Sequence, residues 1–177
     1  LYLSEPHKSG GPFALSSSAI GALTSARYVV ATLAALAHGS INDRLGDELE
    51  ASVGTVLMVV SLLAMGPWPP IVFLPQRLET TAIATCLFAV AFELMLLPNT
   101  SMMISAAHRA SIDVKVASGV IASLDQATGT TAAVTGRLLG GALIRPLGYR
   151  NEFAAFALLP TILLPLLFVR HRRAARG

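Results

Sequence analysis

From Thr80 to Ala107 the chain carries a single charged side chain, Glu93. A helix needs about 20 largely apolar residues to cross a bilayer core, so this stretch is long enough to span a membrane and too apolar for the surface of a soluble domain. Four further stretches are of the same kind: Ser18 to His38, Glu50 to Met65, Val116 to Ile144 and Glu152 to Val169. Ser16, Ser17 and Ser18 offer N-caps to the first. Gly66-Pro67-Trp68-Pro69-Pro70 ends the second, because proline removes a backbone donor and its ring clashes with the preceding turn. Trp68 suits the bilayer interface. Pro98 is expected to bend the third span, while Pro160 and Pro165 fall inside the fifth, where neighbouring helices can satisfy the freed carbonyls. Composition agrees. Of the 177 residues 54% are hydrophobic and 13% charged, against about a quarter charged in an average soluble domain, and the mean hydropathy is +0.65. An ordinary soluble enzyme, a disordered chain and a collagen are excluded. The predicted fold is all-α and membrane-embedded, with five transmembrane helices, no extended strands between Thr80 and Ile144, and a tight loop at Gly39–Gly46.

Positive charge gathers on the cytoplasmic side of membrane proteins. With five spans, one side holds Arg44, Arg109, Lys115 and the tail residues Arg170, Arg172, Arg173 and Arg176, and the other holds Lys8, Arg77, Arg145 and Arg150. The basic tail, 171–177, is therefore expected in the cytoplasm, where it also suits anionic lipid. The net charge of +3 reports loop charges rather than a nucleic-acid surface. The lone cysteine, Cys86, permits no intrachain disulfide, and His7, His108 and His171 lack the spacing of metal ligands. No cofactor or metal is expected. Without a G-x-S-x-G elbow or an H-E-x-x-H pair there is no case for a membrane hydrolase, and the chain is not expected to be an enzyme.

The segment after the first span reads Gly39-Ser40-Ile41-Asn42-Asp43-Arg44-Leu45-Gly46. Its glycines permit a tight turn and close helix approach, its Asp can face a helix N-terminus and its Arg can pair with a carboxylate. Later come Pro98-Asn99-Thr100-Ser101-Met102-Met103, then Leu124-Asp125-Gln126, Gly136-Arg137-Leu138-Leu139-Gly140-Gly141-Ala142, and Leu147-Gly148-Tyr149 closing the turn to the last helix. The first string resembles the short cytoplasmic loop motif of the major facilitator superfamily. The later strings, in this order, resemble helices ten to twelve of its drug:proton antiporters of the vesicular amine transporter type. Leu1-Tyr2-Leu3-Ser4-Glu5 resembles the end of helix seven. The resemblance implies a partial six-helix bundle equivalent to the C-terminal half of such a transporter. Residues 1–17 would be the end of a preceding helix and a non-cytoplasmic loop, and 18–170 the transmembrane bundle. Three departures stand out. Asp47, Glu48 and Glu50 follow the loop where the family continues with a basic residue, Asn99 stands where the amine transporters have an acid, and Arg137 where they have a proline.

An ionisable residue inside a span costs about 2.5–3.5 kcal/mol on insertion scales and is a functional candidate for that reason. Arg27, Glu93, Asp125 and Arg137 qualify. Asp125 shares a helical face with Ser118, Ala122, Thr128, Gly129, Ala132, Thr135 and Gly136, and Val120, Leu124, Val134 and Leu138 occupy the other. A carboxyl taken from water binds a proton more readily, which suits Asp125 to exchange a proton for a cation. The alternative is a structural ion pair with Arg27 or Arg137. Glu93 has no family motif around it and suits a transport role or a structural hydrogen bond equally. His38 lies at the membrane end of the first span, where it is expected to cap the helix.

Together the residues and the resemblance imply an integral membrane protein of the plasma membrane, a vacuole or a vesicle. It would form part of a multidrug antiporter exporting organic cations in exchange for protons by alternating access. Substrate and protons would meet Asp125, Asn99 and Glu93. Gly39, Asp43, Arg44 and Gly46 would form a gating loop, with Asp43 and Arg44 as a cytoplasmic latch, and Gly136, Gly140 and Gly141 would pack helices. Its partners would be the bilayer, the transporter's N-terminal half, a small organic substrate and protons. The alternative, which Leu1, Asn99 and Arg137 favour, is a truncated, transport-incompetent membrane protein that only associates with partner helices.

Overall fold

A computed structural model describes residues 15–66 and 77–174. These form four helices, α1 (Ser17–Leu45), α2 (Asp47–Met65), α3 (Leu78–Arg109) and α4 (Val114–Ala174), and no strand occurs among them. Residues 1–14, with Lys8 and the expected end of an earlier helix, 67–76, with Trp68, and 175–177, with Arg176 of the expected basic tail, lie outside the described residues.

Ser16 caps α1, its hydroxyl accepting from the Ala19 N–H at 3.3 Å, which satisfies one of the donors that a helix start leaves without a partner. The helix does not stop at His38. It continues through Gly39–Leu45, so the expected loop at Gly39–Gly46 is corrected to a one-residue turn. Nothing in Ser40-Ile41-Asn42-Asp43-Arg44 forbids a helix, and the Gly46 N–H closes α1 on the Asn42 carbonyl at 2.8 Å. Gly46 then adopts φ 76°, ψ 154°, a region open almost only to glycine, and α2 begins at once.

The same device recurs at Gly148, with φ 71° and ψ 160°, which breaks α4 into limbs 114–147 and 149–174. This is where Leu147-Gly148-Tyr149 predicts a turn. Gly148→Ala would force a Cβ into that conformation, at a cost of about 1–3 kcal/mol. A lowered melting temperature with unchanged helix content at low temperature is expected in detergent, and an unchanged melting temperature would refute it. Between α3 and α4, Ser111 takes a positive φ of 58°, and the Asp113 carboxylate starts α4 by accepting from the Lys115 N–H at 2.8 Å.

α2 and α3 form a close antiparallel pair. Asp47 meets Ser101, Gly54 meets Leu94, and Met65 meets Thr85. The contact at Gly54 is backbone to backbone, because a Cβ there would lie 2.9 Å from the Leu94 carbonyl carbon and 3.0 Å from its oxygen. That carbonyl is the one whose i+4 donor is missing, since residue 98 is proline. α3 continues through Pro98 as a helix, and Pro98 is buried. Gly54 turns a Cα–H bond toward the freed oxygen, the kind of contact that recurs at tight helix interfaces. Small residues supply much of the core, among them Ala51, Ala84, Ala89, Ala91, Ala117 and Ala157, as expected where helices associate by close packing rather than by expelling water. The end of α2, the start of α3 and the second limb of α4 enclose Leu62, Met65, Ala84 and Ala157, with Phe88, Phe153 and Phe156 against them.

α1 has no buried residue, and it exposes Tyr28, Leu33 and Leu36. Among the described residues three helices are long and apolar enough to cross a membrane, α1, α2 and α3. These are the features of a membrane protein, and the bare apolar side of α1 is consistent with lipid contact. Of the five expected spans, three are borne out among the described residues, as α1, α2 and α3. The fourth and fifth fall in the two limbs of α4, the first of which carries Ser118, Ser123, Asp125, Gln126, Thr128, Thr130 and Thr131 among its apolar residues.

Candidate functional site

Asp125 sits a third of the way along the first limb of α4, half-buried. Its Oδ2 accepts a hydrogen bond from the Thr100 hydroxyl of α3 at 2.9 Å. Thr100 lies two residues beyond Pro98, and its hydroxyl also reaches the Leu96 carbonyl at 3.3 Å. Asn99, the residue at the family's acidic position, is exposed, and its neighbour Thr100 is the side chain that reaches the acid. Glu93 is half-buried on α3 and makes no hydrogen bond or ion pair among the described residues.

The alternative of an ion pair at Asp125 is not what the described residues show. Arg27 instead stacks over the Phe88 ring, its guanidinium carbon 5.5 Å from the centroid, a cation–π contact between α1 and α3. Arg137 is exposed and joined to no carboxylate. Asp125 has a hydroxyl partner and no countercharge. A double-mutant cycle with Thr100→Val and Asp125→Ala should give a coupling of about 0.6–1.7 kcal/mol, the range for hydrogen bonds between membrane helices. Additive losses in thermal melting would show that the pair contributes nothing.

The rest of the first limb is nearly bare. Residues 118–139 are exposed except Ile121 and Asp125, and a shallow depression on the side away from α3 is lined by Ser123, Gln126, Thr130 and Thr131. This limb thus carries Asp125 toward α3 and, on the other side, hydroxyls and an amide interspersed with exposed Val120, Leu124, Val134 and Leu138. Of the three glycines proposed for packing, Gly140 is buried against Glu152, whose Oε1 would lie 2.8 Å from an added Cβ, while Gly136 and Gly141 face open space.

A second polar group gathers at the α1–α2 turn. His38 does not cap a helix end. It lies inside α1, and its Nδ1–H donates to the Oε1 of Glu50 at 2.8 Å. Glu50 is fully buried. One turn nearer Gly46, Asp47 Oδ2 accepts from the Ser101 hydroxyl of α3 at 3.1 Å. Three buried oxygens here have no hydrogen-bond partner, Asn42 Oδ1, Asp47 Oδ1 and Glu50 Oε2. The expected gating residues Gly39, Asp43 and Arg44 are helical and exposed, with no ion pair at Asp43 or Arg44, and Gly46 alone makes the turn. Sequence reasoning noted Asp47 and Glu50 only as departures from the basic residue with which the family continues this loop. The spacing His38/Asn42 on one helix and Asp47/Glu50 on the next, either side of a glycine, is the signal that places four polar groups on facing surfaces.

No protein-family model, curated protein or solved structure matches the chain.

Proposed function

We propose that the chain forms part of a secondary transporter that exchanges organic cations for protons, with Asp125 as the proton- and cation-binding carboxylate. The observation that carries this reading is a half-buried acid with a hydroxyl partner and no countercharge among the described residues, set on a largely bare helix rich in Ser and Thr. Such an acid is costly against lipid, and it suits a water-filled path enclosed by further helices. On this reading the first limb of α4 is less apolar than α1–α3 because it lines that path. The N-terminal half of a major facilitator antiporter would cover it. Glu93 and Asn99 are secondary positions along the same route. The protein acts as a carrier and not as an enzyme.

Proteoliposomes containing the polypeptide that bears this chain should accumulate ethidium when their interior is made acid. Uptake should collapse when a protonophore dissipates the gradient. Absence of gradient-driven uptake of ethidium and of other hydrophobic cations would overturn the proposal and favour a bundle that only associates with partner helices.

A further inference from the structure

We infer that the groove between α2 and the second limb of α4 binds the acyl chain of a membrane lipid. Val59 and Leu63 form its α2 wall, and Asn151, Ala155, Leu158 and Thr161 line the α4 wall. Spacings of three and four residues put each wall on a single helical face. The groove has a volume of about 560 Å³. It follows α4 from Asn151 to Thr161, about 15 Å at a rise of about 1.5 Å per residue. Its mean cross-section is then roughly 40 Å², against about 80 Å² for a helix about 10 Å across. A second helix does not fit in such a groove, whereas a single file of methylenes, with neighbouring carbons about 4 Å away, does.

The chemistry of the walls agrees with the shape. No lining residue is charged, and the two polar ones donate back to their own helix: Asn151 Nδ2 to the Leu147 carbonyl at 2.9 Å, and the Thr161 hydroxyl to the Ala157 carbonyl at 2.8 Å. A charged ligand would be desolvated there without a partner, which is costly. A hydrocarbon chain gives up no hydrogen bond on entering and supplies the dispersion contacts that an empty groove forfeits. The rim is apolar as well. Val56 and Val60 continue the α2 face and Leu159 and Ile162 border the α4 face, all of them exposed, so the groove opens onto a surface suited to lipid. Ala155 keeps it open, since a larger side chain there would occupy it. This site is separate from Asp125 and does not rest on the transport reading.

The test uses the whole chain in nanodiscs of phosphatidylcholine that carries a diazirine on one acyl chain, with adducts mapped by mass spectrometry after illumination. Leu33 and Leu36 of α1 are the comparison, because they are exposed and apolar and line no such groove. Adducts on Leu63, Ala155 and Leu158 should exceed those on the α1 pair about tenfold, the ratio that separates a retained chain from exchanging lipid by one decade of affinity. Ala155→Phe should remove the excess, and Ala155→Ser, which adds little volume, should keep it. Asp125→Asn should leave the labelling unchanged. Far-UV circular dichroism checks that each variant is helical. Even labelling of the groove and of α1 in the parent would overturn the inference whether or not Ala155→Phe folds, and so would an excess that persists in a folded Ala155→Phe. A disulfide between two chains through Leu158→Cys, in a Cys86→Ser background, would seat a second copy on the groove and overturn it as well.

Discussion

Gly54→Val is expected to separate α2 from α3. The direction a Cβ takes at residue 54 runs into the backbone of Leu94, within 2.9 Å of its carbonyl carbon and 3.0 Å of its oxygen. No flexible side chain can move aside, so one helix must shift bodily. Overpacking inside a well-fitted interface costs about 1–3 kcal/mol or more. Here the displacement also strips the Leu94 oxygen of its nearest polar contact, since Pro98 cannot donate to it. Valine adds two methyl groups beyond the Cβ, so it should be worse than alanine. The damage should spread along the antiparallel pair to Asp47–Ser101 and Thr85–Met65, because both depend on the same register. A disulfide trap across Met65→Cys and Thr85→Cys, in a Cys86→Ser background, should form in the parent and fail in Gly54→Val, and the variant should melt at lower temperature in detergent. An undiminished cross-link would show that the pair tolerates a larger spacing.

The second large effect is on function and rests on the proposed reading. Asp125→Asn should abolish acid-driven ethidium uptake while leaving membrane insertion and helix content intact. The amide keeps the shape of the side chain, and its oxygen still accepts from Thr100, whose hydroxyl lies 2.9 Å from Oδ2. What it loses is the ability to take up and release a proton. A neutral side chain is also cheaper to place among apolar helices than a charged one, so lost uptake could not be assigned to a harder insertion. Thr100→Val should be milder, weakening uptake without ending it, because the carboxyl remains. Uphill, pH-dependent uptake by the Asn variant would remove Asp125 from the coupling step and pass the role to Glu93.

Much of the helical framework follows from short-range rules. The apolar runs predicted α1, α2 and α3 to within a few residues, apart from the seven-residue extension of α1 beyond His38. That extension was missed because Gly39-Ser40 reads as punctuation, although glycine breaks a helix only when the backbone must leave the helical region, as it does at Gly46 and Gly148. The stretch 116–144 reads as a span on length and the absence of prolonged charge, and its Ser, Thr, Gly and Gln residues dilute its apolarity. Asp125 was visible in the sequence as a lone acid in a small-residue stripe. Its partner was not, because Thr100 is 25 positions away and on another helix.

The sequence by itself determined where helices form, where Gly66 and Gly148 end them, and that several, α1, α2 and α3 among them, are apolar enough for a bilayer, because hydropathy and backbone freedom act over a few residues. The tertiary structure decided which polar atoms meet. Arg27 could have faced Asp125 and instead lies over Phe88; His38 could have faced water and instead holds a buried Glu50. Those choices depend on the rotation and register of whole helices. Between α2 and α3 the register includes the close approach of Gly54 to the Leu94 carbonyl, forty positions away, and no local pattern around either residue encodes it.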